Sequence, residues 1–282
     1  MISFRTMVAG DIPAGLSLCR HAGWNQTAHD WELFLQLSPI GCRVAVNDNN
    51  RVVGTVGTVT YQKNFSWIGM VLVDPQSRRQ GIGTKLLQEA LQILKNEETV
   101  KLDATPEGRE VYLQLGFIDE YPLSRMNIAS VRRETPAYSN VVPMRKEDLV
   151  QVSTFDQNIF GADRLFILTD LLKRAPHLAF ITKIKDEVSG FCFGRRGHNF
   201  THIGPVVSTN VGDSMNLVSA AMKNCDEHSI ILDVPHHTPA WTNWLTAIGF
   251  SEQRPFIRMY RGKNFSQADS EKHFAILGPE FG

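Results

Sequence analysis

The chain has 282 residues, comfortable for two domains. Lys+Arg and Asp+Glu both total 29, so no net field recruits nucleic acid or an anionic membrane. No apolar run reaches the roughly 18 residues of a membrane span, no signal-peptide pattern opens the chain, and Cys19, Cys42, Cys192 and Cys225 lack the spacing of a zinc knot or disulfide frame. A cytoplasmic protein is expected. No metal site is expected either, because His236-His237 would point apart on a strand and His-Glu-x-x-His is absent.

The first half begins with a strand at Ile2-Ser3-Phe4-Arg5 and a helix from Asp11 to Leu18. A second helix, Asp30-Trp31-Glu32-Leu33-Phe34-Leu35, is read as capped by Asp30. Cys42 to Val46 and Val52 to Tyr61 form two strands joined by the turn Asn47-Asp48-Asn49-Asn50. Trp67 to Val73 is the next strand. It leads into Asp74-Pro75-Gln76-Ser77 and then Arg78-Arg79-Gln80-Gly81-Ile82-Gly83-Thr84, which opens a helix whose apolar residues Ile82, Leu86, Leu87, Ala90, Leu91 and Leu94 recur at helical spacing. Glycines at 81 and 83 clear the backbone, and the amides of 79 to 84 can converge on an anion at a helix N-terminus. The loop suits a pyrophosphate. It matches neither Gly-x-x-x-x-Gly-Lys-Ser/Thr nor Gly-x-Gly-x-x-Gly.

About thirty residues later, Val100-Lys101-Leu102-Asp103-Ala104 starts as a strand. Thr105 is a good N-cap, Pro106 suits the first helical position, and Gly116 stops the helix in the left-handed conformation before Phe117. Arg-x-x-Gly-x-Gly after a strand, followed by Tyr112-x-x-x-Gly116-Phe117, resembles the GCN5-related N-acetyltransferase (GNAT) family. That resemblance implies an acetyl-CoA cosubstrate held by Val71, Leu72, Val73, Arg78, Arg79, Gln80, Gly81, Ile82, Gly83 and Thr84. It implies that Tyr112 protonates the departing thiolate. The competing reading of Tyr112 is an amphipathic residue buried for packing alone.

The second half repeats the first in order. Met7-x-x-x-Asp11 returns as Met144-x-x-x-Asp148, Val53-Gly54 as Ser189-Gly190, and Ile68-Gly69 as Ile203-Gly204. Leu102-Asp103 returns as Leu232-Asp233, Leu115-Gly116-Phe117 as Ile248-Gly249-Phe250, and Arg125-Met126 as Arg258-Met259. The chain resembles the YitH-type tandem acetyltransferases. The expected fold class is α+β, with two tandem GNAT-like domains, each a mixed, mostly antiparallel sheet flanked by helices with one splayed parallel pair. The catalytic domain is placed at 1–135 and a divergent, substrate-shaping or structural domain at 138–282, joined near Arg132-Arg133-Glu134-Thr135-Pro136-Ala137-Tyr138. In the second copy Ser208-Thr209-Asn210-Val211-Gly212-Asp213 keeps one glycine, lacks the arginine and adds a repelling carboxylate. Leu245 stands where Tyr112 stands in the first, so one active site is expected.

The family implies direct attack of an amine on the thioester in a ternary complex, with the acceptor a small molecule or peptide. Acceptor contacts are sought at Trp24, Asn25, Asp30 and Trp67, and in the second half at Phe193 and His236; packing is the alternative for the tryptophans. Phe191, His198, His202 and Asp233 to His237 are further possibilities. For the base, Asp30, Asp103, Glu107 and bulk water stay open. Two alternatives are a non-catalytic acyl-CoA sensor and a transferase for a longer acyl group. A monomer built as a pseudo-dimer, or a homodimer, fits the repeat.

Overall fold

A computed structural model describes residues 1–62, 64–129, 140–225, 229–264 and 270–282; the expected link at 132–138 lies outside them. The first half runs β1 (Ser3–Thr6), α1 (Ile12–His21), α2 (Ala28–Leu37), β2 (Arg43–Val46), β3 (Val52–Tyr61), β4 (Phe65–Val73), α3 (Ile82–Ile93), β5 (Thr99–Ala104), α4 (Pro106–Gln114) and β6 (Ile118–Ile128). The second half runs β7 (Val141–Pro143), α5 (Leu149–Phe160), α6 (Leu165–Arg174), β8 (Phe180–Ile184), β9 (Glu187–Arg196), β10 (Thr201–Ser208), α7 (Val211–Lys223), β11 (Ile230–Pro235), α8 (Pro239–Ala247) and β12 (Ser251–Gly262), with β13 (His273–Ala275) beyond the repeat. The ten-element order recurs without a gap. No helix among the described residues is long and apolar enough to cross a membrane.

The compact units divide the chain differently from the sequence halves. The first comprises Met1–Asp119, Met259–Phe265 and Glu280–Gly282; the second comprises Glu120–Arg258 and Ser266–Pro279. Each sheet is therefore completed by backbone from the other half of the sequence. In the first unit the order is β1-β2-β3-β4-β5, and the end of β12 follows β5. There the Lys263 amide donates to the Glu98 carbonyl at 2.9 Å and the Thr99 hydroxyl to the Lys263 carbonyl at 2.8 Å. In the second unit the body of β6 lies antiparallel to β11, with Arg125 opposite Asp233. Beyond β11 the order continues β10-β9-β8-β7.

Local chemistry explains most element boundaries. Thr105 caps α4 by accepting from the Gly108 amide, Pro106 follows it, and Gly116 ends the helix at φ 84°. Helix α2 corrects one expectation: it begins at Ala28, and Thr27, not Asp30, is its N-cap. Asp30 is the third helical residue, and its carboxylate accepts from the Thr27 amide at 2.7 Å and hydroxyl at 2.9 Å. This reciprocal box satisfies more orphan donors than a lone cap. His236 and His237 also lie past the end of β11 rather than on a strand.

The exchanged β6 is locked by charge. Arg125 meets Asp233 through Nε–Oδ1 at 2.8 Å and Nη2–Oδ2 at 2.7 Å, both side chains buried. Burial alone would raise the Asp233 carboxyl; the charge and hydrogen bonds of Arg125 outweigh it and hold the group below the usual carboxylate range. Asp233→Ala leaves a buried guanidinium without its carboxylate and should cost about 3–5 kcal/mol in urea unfolding at neutral pH. In the native chain that stabilisation is present above the unfolded carboxylate pKa of about 3.9 and is lost as pH falls through the lower folded value.

Candidate active site

The site builds from the split between β4 and β5 in the first unit. These parallel strands pair only at Ser66–Val100 and Trp67–Lys101 and then diverge. In β4 the register against β3 jumps from Gly57–Gly69 to Thr55–Leu72, so Met70 and Val71 together face one β3 residue. Met70 has φ 56°, and its carbonyl accepts from the buried Thr55 hydroxyl at 2.8 Å. Such a bulge re-aims the strand. Val71, Leu72 and Val73 follow it along the open side of the split. Neither the bulge nor its Thr55 anchor is visible in the apolar pattern of β4.

Because β4 and β5 are parallel, the loops after them leave the sheet at the same end. After β4, buried Asp74 accepts from the Gln76 amide at 2.9 Å and pairs with Arg51 at 2.5 Å, pinning the turn. Arg78, Arg79, Gln80 and Gly81 are exposed, Gly83 and Thr84 half-buried, and Ile82 anchors α3 in the core. Arg79 (φ 61°) and Gly81 (φ 74°) both take the left-handed conformation, and Gly81 is the N-cap of α3. A Cβ built on Gly81 meets nothing within 4 Å. The loop is thus an open turn of exposed backbone before a twelve-residue helix, suited to an anion. Arg78 Nε reaches the Val73 carbonyl at 3.4 Å.

Tyr112 lies in the second turn of α4, after β5. It is buried, with its ring edge-on to Phe117 at 6.0 Å. Burial pushes its phenol up to about 12, so it holds its proton throughout the neutral range. That is the required state for a proton donor. Of the base candidates, Asp103 is half-buried at the end of β5, Glu107 is exposed in the first turn of α4, and Asp30 is occupied by the Thr27 box.

Of the acceptor candidates, Trp24 is half-buried, Asn25 is 5% exposed, and Trp67 is 1% exposed at the root of the split. Phe193 is fully enclosed in the second unit, 5.7 Å from the Phe191 ring. His236 is exposed, with Nε2 2.8 Å from the Ser124 hydroxyl.

The second unit carries the same split, filled from within. β10 and β11 pair in parallel only at Thr201–Ile230 and His202–Ile231. Beyond that, β13 pairs antiparallel with β10 at Val206–Ala275 and Val207–His273, and Ile276 bridges to Asp233 of β11. The chain's own backbone occupies the strand gap. At the start of α7, Asn210 caps the helix through the Asp213 amide, and Asp213 is held by Asn210 at 2.9 Å and Asn140 at 2.7 Å. One amide of that helix end is thus taken by a side chain, and a carboxylate stands in its first turn. Leu245, in the place of Tyr112, is fully buried.

Two family models match: the acetyltransferase (GNAT) family at residues 16–117 and the acetyltransferase (GNAT) domain at 152–275. The chain is a tandem GNAT acyltransferase. It is similar to the holothin acyltransferase of Pseudoalteromonas sp. (strain SANK 73390), 28% identical over 92% of this chain and 87% of that protein. It is also similar to the uncharacterized N-acetyltransferase YitH of Bacillus subtilis (strain 168), at 21% identity over 88% of each. A crystal structure from Pyrococcus horikoshii shares the fold with a TM-score of 0.81 at 22% identity, over 100% of this chain and 96% of that one. The family implies an acyl-CoA donor, and the open split and backbone turn in the first unit fit one.

Proposed function

We propose that this GNAT acyltransferase moves an acetyl group from acetyl-CoA to a primary amine of a small molecule or peptide, in the cytoplasm, by direct attack in a ternary complex. The observation that carries the reading is the asymmetry between the repeats. The first unit joins an open β4–β5 split, an exposed anion turn and a protonated buried phenol, whereas β13 closes the matching split in the second. The second half is read as a divergent copy with a substrate-shaping or structural role. Its supply of residues 259–264 and 280–282 to the first unit supports the structural part of that role.

The chain's own groups divide the work. Amides of residues 79–84 hold the pyrophosphate, aided by Arg78. Backbone N–H groups of Val71, Leu72 and Val73 receive the thioester carbonyl oxygen and stabilise the oxyanion formed there. The exposed backbone of β4 pairs with the pantetheine amides as a further strand would. Tyr112 gives its proton to the departing thiolate.

The test is turnover of the full chain with acetyl-, propionyl- and hexanoyl-CoA against a panel of small amines and peptides, followed by thiol release and product mass. Acetylated amine is expected. Cofactor binding without product would make the chain a sensor, and preference for hexanoyl-CoA would replace acetyl as the group carried.

A further inference from the structure

In the bulge of β4, Met70 takes φ 56°, a left-handed conformation that a methionine adopts only where its surroundings impose it. The Met70 side chain is buried, and so is Thr55 of β3, whose hydroxyl donates to the Met70 carbonyl at 2.8 Å. The residue before the bulge is closely packed as well. A Cβ built at Gly69 would stand 2.6 Å from the Glu280 carbonyl oxygen, so backbone of the same unit lies against β4 there. Thr55 is thus the side chain that grips the peptide between Met70 and Val71.

The direction of that hydrogen bond sets the direction of an amide. The Met70–Val71 peptide is trans, so its C=O and N–H point opposite ways. In the sheet order β3-β4-β5, Thr55 stands on one side of β4 and the split lies on the other. A Met70 carbonyl held toward β3 turns the Val71 N–H away from β3, to the side of the split. The second copy lacks this arrangement. Thr55 stands opposite Leu72, and the corresponding pair in β9 and β10 is Phe191–Val207. Phe191 has no hydroxyl, and its ring packs against Phe155 and Phe193. The hydroxyl therefore occurs in the copy whose split is open and not in the copy that β13 fills.

Building on the acyl-transfer reading above, the geometry points to Thr55 as a positioning residue: its hydroxyl, acting through the Met70 carbonyl, aims the Val71 amide at the thioester carbonyl oxygen. Thr55 itself touches no substrate. An amide fixed in advance stabilises the oxyanion without reorganising as it forms, so the effect of Thr55 belongs to the chemical step rather than to cofactor affinity.

The test uses the full chain with acetyl-CoA carrying carbon-13 at the thioester carbonyl, observed by isotope-edited infrared spectroscopy. A hydrogen bond to the thioester oxygen lowers its stretching frequency, and the wild-type complex should show that shift. Thr55→Val keeps the shape and removes the hydroxyl. It should return the band most of the way to its free position, with little change in Kd for acetyl-CoA. Stopped-flow transfer to the amine that the wild type acylates best should slow by about 10–100-fold, the scale of a misaimed donor. Thr55→Ser keeps the hydroxyl and should restore both band and rate; a role in packing alone would move the melting temperature but not the band. If Thr55→Val does not fold, Thr55→Ala carries the test. An unchanged band and rate in a folded variant, equal losses in Thr55→Ser, or a wild-type band at the free position would overturn the inference while leaving acyl transfer intact. Failure of the wild type to bind acetyl-CoA, or to acylate any amine, would overturn the acyl-transfer reading and this inference with it.

Discussion

Tyr112→Phe is expected to lower kcat by about 10²–10⁴-fold, the range for removal of a positioned acid, with little change in acetyl-CoA affinity. The substitution deletes one oxygen and leaves the ring against Phe117, so α4 and its Thr105 cap are undisturbed. The expected pH profile follows from the buried phenol. A proton donor must be protonated, and burial pushes this one up to about 12, so its ionisation should not limit kcat until pH approaches that value. An exposed tyrosine would already lose its proton near 10. Stopped-flow measurement of the chemical step checks both points. A variant with full kcat, where chemistry limits turnover, would reduce Tyr112 to a packing residue.

The second large effect is at the anion turn. Gly81→Asp should abolish measurable acetyl-CoA binding in calorimetry while the fold persists. Gly81 sits at φ 74° with open space around its Cβ position, so aspartate fits sterically at a conformational cost of about 1 kcal/mol. Its charge, however, would face the pyrophosphate at the point where α3 offers its amides. The wild-type chain should titrate with one cofactor site, because β13 fills the other split and the Asp213 carboxylate, held by Asn210 and Asn140, stands in the first turn of α7. Two equivalent sites per chain would contradict this assignment.

The turn before α3, the α4 cap and Gly116 were legible because their parts are local. They depend on residues within a few positions of one another, so glycine, proline and threonine announce them. Asp30 shows the limit of that reading: both Thr27 and Asp30 can cap, and only the helix start at Ala28 decides between them. The acceptor side was less legible. Trp67 and Phe193 are apolar, and their types do not reveal that one borders the split while the other is sealed in the second unit. Gln26 was passed over because it falls in no motif. A buried amide oxygen without a partner among the described residues is apparent only once its surroundings are known.

By itself, the sequence determined the tandem α+β repeat, the family, the glycine turn before α3 and the difference between Tyr112 and Leu245, all recorded in side-chain type and short-range spacing. Tertiary structure decided which backbone completes each sheet: β6 beside β11, the end of β12 beside β5, β13 in the second split, and residues 280–282 across Gly69. The reason is physical. Side-chain periodicity records which face of a segment is buried, but a sheet edge is satisfied by N–H and C=O groups that nearly every residue carries, so edge partners leave little trace in sequence. At Gly69 and Gly204 such a trace exists, because a crossing backbone comes where a side chain would otherwise stand; which segment crosses is known only from the fold.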